Sequence, residues 1–317
     1  MKSLNLKWVI AHKPVYLFQR VAEDFKNIVN SRSKDVKIDI EIMTAEEYND
    51  QYRPETPVSP QNVWKLLQDN SVQITQMQTT SLARQANRQM HVLDMPYLFD
   101  DHDHAAEILE GKIGTRLLNN FDHDSKLKGL AYTYSGGFRL LPLSESVQSL
   151  AEIVGKNIRS GMSPIAQDTM RAFGFSPVPT EIEQVSALVQ SGQAVGAEYV
   201  AQRLLPDQCE DWVNTIINTE HSLFLTSIVV NVDWWNDLDH SIQQLFMEAA
   251  LEAARNERTL SLDDGDASLE ALQAKGVRVI ELGAADQVKL RQQAQSVYDK
   301  YADSFFEPGL VNSIKRH

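Results

Sequence analysis

The chain of 317 residues holds one cysteine, Cys209. A single thiol cannot close an internal disulfide, so no disulfide framework is expected, and the compartment stays open on that count. No run of 18 apolar residues occurs, so no membrane-spanning helix and no membrane insertion are expected. The motifs HExxH, CxxC, GxGxxG and GxSxG and the P-loop are all missing, which removes the common local signatures of metalloenzymes, nucleotide binders and serine hydrolases. Positive charge is short: 30 Lys and Arg stand against 43 Asp and Glu, a formal net charge of −13. Such a surface disfavours nucleic acid and anionic membranes as partners. It leaves an anionic ligand open, because the few charges nearest a site set its local field. Met1 to Ile10 is too short and polar for a signal peptide, so a cytoplasmic protein or a mature exported chain is expected.

What is present is ordinary for a globular protein, with 43% hydrophobic and 23% charged residues. The length suggests about two domains, and a chain this long buries roughly three-quarters of its unfolded surface. Residues 4–10 read as a strand, Pro14 opens a helix whose apolar residues from Val15 to Val29 recur at three and four, and Val36, Ile38, Ile40 and Ile42 alternate as a second strand. Ser59-Pro60 caps a helix carrying Val63, Leu66 and Leu67, and Val72 and Ile74 mark a third strand. The order β-α-β-α-β predicts a parallel sheet with helices on its faces and ligands at the carboxyl ends of its strands.

Further on, a helix is expected at about 102–120 and a strand from Leu130 to Leu143, interrupted by Gly136-Gly137. A double glycine in a strand signals a bend or a close approach to the backbone. Helices near 146–153, 163–173 and 181–191 and strands at 156–159, 194–199 and 221–232 follow. Residues 237–260 carry a helical pattern of about 24 residues, roughly 36 Å long. Another helix ends at Gly276, then come a strand at 277–282 and a helix at 284–304. There is no repeat, low-complexity tract or flexible linker, so the chain is expected to cross between lobes more than once, the crossings serving as hinge.

Chemistry has few candidate homes. In Asp101-His102-Asp103-His104 neighbouring residues do not share a helix face, so a metal would need ligands from elsewhere, and Asp101 or Asp103 suits a helix N-cap. Arg139 follows the double glycine, and Arg159 ends a short strand before the helix at Ser163-Pro164, where α/β lobes bind anions.

These residues also carry a resemblance. Gly136-Gly137-Phe138-Arg139, Gly155-Lys156-Asn157-Ile158-Arg159, Ala172 to Pro179 and Glu183 to Gly192 occur in this order, flanked by Asp94 to Phe99, His221-Ser222 and Trp235 to Leu238. The set resembles the solute-binding proteins of tripartite ATP-independent periplasmic (TRAP) transporters, of the dicarboxylate-receptor type, over most of the chain. The resemblance implies an α/β, two-lobed, periplasmic-binding-protein-like fold, each lobe a sheet flanked by helices, with crossing strands and a long helix joining lobe I (1–137 plus 224–262) to lobe II (138–223 plus 263–317). It implies a periplasmic monomer that captures a small organic acid between closing lobes and delivers it to a TRAP permease, with no cofactor, metal or catalysis. It also implies that Arg159 pairs with the ligand carboxylate and that Arg139 assists. Guanidinium suits that role, offering parallel donors and a permanent charge.

Where the family often has Asp-Gly-x-Glu-Asn, this chain has Val195-Gly196-Ala197-Glu198-Tyr199, so Tyr199 stands at a ligand-contacting asparagine position and favours a smaller or flatter ligand. The stretch 44–62 departs as well. Further lining candidates are His12, Trp64, Gln78, Phe224, Tyr134 and Met162, each with a packing role as its alternative, while Tyr48, Tyr52 and Trp234 are read as structural. Tyr132 and Tyr134 share a strand face, and Tyr134 lies nearer the double glycine. Two other functions stay open: a sensory receptor presenting its closed form to a membrane signalling protein, and an enzyme on the same scaffold, metal-assisted through His102 or His104.

Overall fold

A computed structural model describes residues 2–315. Its strands are β1 (Lys2–Ile10), β2 (Val36–Thr44), β3 (Ile74–Gln78), β4 (Leu127–Leu143), β5 (Asn157–Ser160), β6 (Ser176–Pro179), β7 (Gly196–Ala197), β8 (Tyr199–Val200), β9 (Thr215–Asn218), β10 (Leu223–Asn231) and β11 (Arg278–Glu281). The helices used below are α1 (Val15–Arg32), α2 (Pro164–Ala172), α3 (His240–Ala274) and α4 (Ala284–Tyr301). The chain divides into two compact units of three segments each. The first takes residues up to Arg88, Leu109–Tyr134 and Leu225–Thr259, and the second takes Gln89–Ile108, Ser135–Phe224 and Leu260 onward. Three of the five boundaries fall inside β4, β10 and α3.

In the first unit β1 runs parallel to β2, with Leu4 opposite Ile38 and Leu6 opposite Ile40, and parallel to β3, with Trp8 opposite Ile74. β10 pairs antiparallel with β3. Strand periodicity puts Leu6, Trp8 and Ile10 on one face, and α1 lays Phe18, Val21, Ala22, Phe25 and Val29 over it at helical spacing. The Phe25 ring sits 5.3 Å from that of Trp8 and 5.4 Å from that of Phe246.

In the second unit β4 pairs antiparallel with β9, β7 and β8. β5 lies parallel between β7 and β6, and β11 extends the sheet beyond β9. One core gathers Leu140, Val185, Tyr199, Leu204 and Trp212; another gathers Leu141, Ile158, Met170, Phe173 and Ala294.

Several elements differ from expectation. The helices expected at 237–260 and before Gly276 are one helix of 35 residues, α3. Ser261, Ser268 and Leu272 are buried and Gly265 lies against Ala201, so packing carries the helix through the weak formers Asp263, Asp264 and Gly265. The helix expected at 102–120 is split by Gly111, whose extended backbone caps the second piece. The strand expected at 194–199 is broken at Glu198. Residues 89–108, which the sequence assigns to the first lobe, pack in the second unit, where the Tyr97 N–H donates to His221 O and the Tyr298 hydroxyl to Pro96 O, both at 2.7 Å.

Candidate functional site

The double glycine shows what approaches the strand. At Gly136 (φ +126°) a Cβ would lie 2.6 Å from Val200 Cγ2, so only glycine lets β8 close on β4. That approach sets Arg139 opposite Val200 in register. On the far side of β7, Arg159 stands opposite Ala197, and its carbonyl accepts from Glu198 N–H at 2.7 Å. Two arginines are thus fixed about one carboxylate by backbone pairing alone.

Glu198 is 1% exposed. Its Oε1 lies 3.5 Å from Arg139 Nε and 3.3 Å from His221 Nε2, and its Oε2 accepts from Gly161 N–H at 2.8 Å. A carboxylate only accepts, so His221 presents Nε2–H to it, while Nδ1 is 2.7 Å from Thr219 Oγ1. Burial works to raise the Glu198 pKa, but the Arg139 charge, His221 and the Gly161 amide outweigh it and hold the carboxyl well below the usual range. The Arg139 guanidinium also lies 4.3 Å over the Phe224 ring.

Arg159 is placed differently. It is 3% exposed and donates only to backbone carbonyls: Nε to Thr180 O at 2.8 Å, Nη2 to the same oxygen, and Nη1 to Glu198 O at 3.1 Å. No carboxylate among the described residues pairs with it directly. Of a guanidinium's five N–H groups, two remain. Burial, with Arg139 and Arg203 nearby, lowers its pKa to about 10 against the opposing pull of Glu198, so the group stays charged at neutral pH. In the residues that follow it, the Ser160 and Ser163 hydroxyls are buried without hydrogen-bond partners among the described residues, Ser163 at the start of α2. One buried carboxylate against two buried guanidiniums leaves an excess positive charge, which an anion can neutralise.

The structure brings Arg139, Arg159 and Phe224 together in the second unit. Tyr199 is there too, but on β8 its ring joins the core, and its hydroxyl, expected at ligand, donates to Asp207, which also accepts from Arg203 Nε at 2.8 Å. Met162 is 37% exposed in the loop after β5. The other candidates lie in the first unit. The His12 ring is 5.2 Å from that of Phe18, Trp64 is half-buried at the head of a short helix, and Gln78 ends β3 half-buried. Tyr134 is buried, its N–H donating to Glu257 Oε2 at 3.1 Å. Asp101 caps the His104 N–H at 2.7 Å, and no group of His, Cys, Asp and Glu among the described residues is arranged to hold a metal. The sequence left the roles of Glu198 and His221 unassigned. One signal was available: Glu198 is a lone acid inside an apolar run, which demands a buried cation.

Residues 18–304 match DctP, the bacterial extracellular solute-binding protein family 7. The chain is 26% identical over 191 residues to the 2,3-diketo-L-gulonate-binding periplasmic protein of Escherichia coli, covering 60% of this chain but only 58%, under two thirds, of that relative. A TRAP periplasmic solute-binding protein from Ochrobactrum anthropi superposes with a TM-score of 0.85 at 22% identity, covering 99% of this chain and 94% of that one. One from Pseudomonas putida, with bound D-glucuronate, gives 0.81 at 25% identity, covering 98% and 96%. The α/β architecture is that of the TRAP solute-binding proteins, and this chain belongs to the bacterial extracellular solute-binding proteins of family 7.

Proposed function

We propose that this protein is an extracytoplasmic receptor that binds a small organic acid, releases it unchanged to a TRAP membrane permease, and works in the periplasm as a monomer. The observation that carries it is the charge imbalance around Glu198: Arg139 is compensated by that carboxylate, whereas Arg159 has only carbonyl oxygens. Arg159 is assigned the ligand carboxylate, and Arg139, held by Glu198 and Phe224, a supporting donor. The buried hydroxyls of Ser160 and Ser163 are suited to accompany them. Ligands named for relatives, 2,3-diketo-L-gulonate and D-glucuronate, are acids that fit such a site.

A thermal-shift panel of carboxylates tests this, since a ligand bound only by the folded state raises the melting temperature. Stabilisation by at least one acid in the wild type and none in Arg159→Ala is the expected pattern. Equal stabilisation of both proteins removes Arg159 from the site, and no stabilisation by any acid removes the receptor function.

A further inference from the structure

A third guanidinium in the second unit is buried and incompletely partnered. Arg203 is 1% exposed, on the turn Ala201–Arg203 that follows β8. Its Nε is taken by Asp207, whereas Nη1 and Nη2 are buried with no hydrogen-bond partner among the described residues. Those two atoms carry four N–H groups. Leaving so many charged donors unpaired in a fold is costly, so the guanidinium edge is built to meet an acceptor.

The surroundings say where it acts and what it takes. Arg159 donates to Thr180, and Glu183, three residues on, is among the acidic groups acting on Arg203, so both arginines border one stretch of chain. Arg159 Nη1 also donates to Glu198 O, and the next residue, Tyr199, shares Asp207 with Arg203, so one short stretch of chain links the two guanidiniums. Arg139, Arg159 and Arg203 stand against the buried or part-buried carboxylates Glu198 and Asp207, an excess of one positive charge. One ligand carboxylate neutralises that excess. A second would add an uncompensated anion beside Asp207 and Glu183.

We infer that Arg203 is a second ligand-anchoring residue, whose free edge takes a neutral oxygen, hydroxyl or carbonyl, of the acid held at Arg159, so that the receptor selects oxygenated monocarboxylates over dicarboxylates. This rests on the receptor function proposed above. Tyr199 contributes indirectly: its hydroxyl shares Asp207 with Arg203 and so fixes the edge from behind.

The experiment is calorimetric titration of wild type, Arg203→Lys and Arg203→Gln with hexanoate, gluconate, D-glucuronate, succinate and glutarate. Lysine keeps the charge beside Asp207 and loses the planar fork. Wild type is expected to bind gluconate or glucuronate more tightly than hexanoate and both diacids. Arg203→Lys is expected to weaken the oxygenated acids about tenfold or more and leave hexanoate within about threefold. Equal weakening of hexanoate and the oxygenated acids makes Arg203 a brace and overturns the inference. So does no change at all, which assigns the edge to water. If neither variant folds, the wild-type order decides, and a diacid bound above gluconate overturns it. Binding of none of the acids in a panel extended to other carboxylates removes the receptor function itself.

Discussion

Arg159→Met separates a ligand anchor from a structural brace, because the two roles predict opposite balances. Burial, the largest cause, holds the Arg159 pKa at about 10 instead of 12.5, a penalty on its charged form of about 3 kcal/mol. The sign is that of a base depressed by folding: the penalty applies at every pH below about 10, hence in full at neutrality. Methionine relieves it. Against that gain, Thr180 O and Glu198 O lose their donors, at about 1–3 kcal/mol each. The two effects offset, so the unliganded variant is expected within about 2 kcal/mol of wild type in urea denaturation. Ligand response is another matter. With ligand at about 100 times Kd, wild type gains about 2.7 kcal/mol, or about 4 °C for a chain of this length. Loss of the charged partner costs about 2–5 kcal/mol of binding, which reduces that gain below about 1 kcal/mol. Differential scanning calorimetry with and without the acid reads both quantities. A variant that keeps the ligand-induced shift refutes the anchor role; one that loses more than about 4 kcal/mol unliganded shows that the carbonyl contacts, and not a ligand, are why Arg159 is buried.

Other outcomes follow from the same geometry. Glu198→Gln leaves Arg139 buried without its counter-charge and is expected to cost about 3–5 kcal/mol by urea denaturation at pH 7. Because the Glu198 pKa is depressed in the fold, its contribution is fully present above the ordinary value of 4.5 and declines as pH falls below it, so the gap between wild type and variant narrows in acid; a gap independent of pH contradicts the assignment. Gly136→Ala puts a Cβ 2.6 Å from Val200 at a φ of +126° and is expected to cost about 2–4 kcal/mol, with the steric part recovered in the double variant with Val200→Gly. No recovery places the cost in backbone strain alone. The Cys209 thiol, pushed up to about 12 chiefly by burial, is expected to resist a thiol-reactive disulfide reagent in the native protein and to react on unfolding. Rapid native labelling refutes that burial.

Much of the fold was legible because its signals were local. Alternation in β1 and β2 and the apolar stripe of α1 each specify an element from a dozen residues, and the β-α-β order follows. Strand ends and an ordered set of motifs also single out Arg139 and Arg159, which the structure buries in the same unit. What escaped depends on distant partners. The full length of α3 is decided by burial of Ser261, Ser268 and Leu272, which no window of sequence displays. Glu198 and His221 are 23 residues apart and meet only because β7 and β8 return along β4. The place of Tyr199 in a motif points to ligand, yet its ring joins the core and a partner eight residues on takes its hydroxyl.

The division of each unit into three chain segments bears on how the molecule comes into being. A chain made from its N-terminus lacks strand β10, which pairs with β3, until residue 231 has emerged, and lacks Phe246, which packs on Phe25, until later still. The second unit waits for α4, whose Tyr298 closes on Pro96 across 202 residues. Contacts this distant in sequence make folding slow relative to helical proteins of similar stability. Neither unit is complete at any early stage of synthesis. Both cores therefore close only when distant segments of the chain are present together, so neither unit is expected to fold from its N-terminal segment alone.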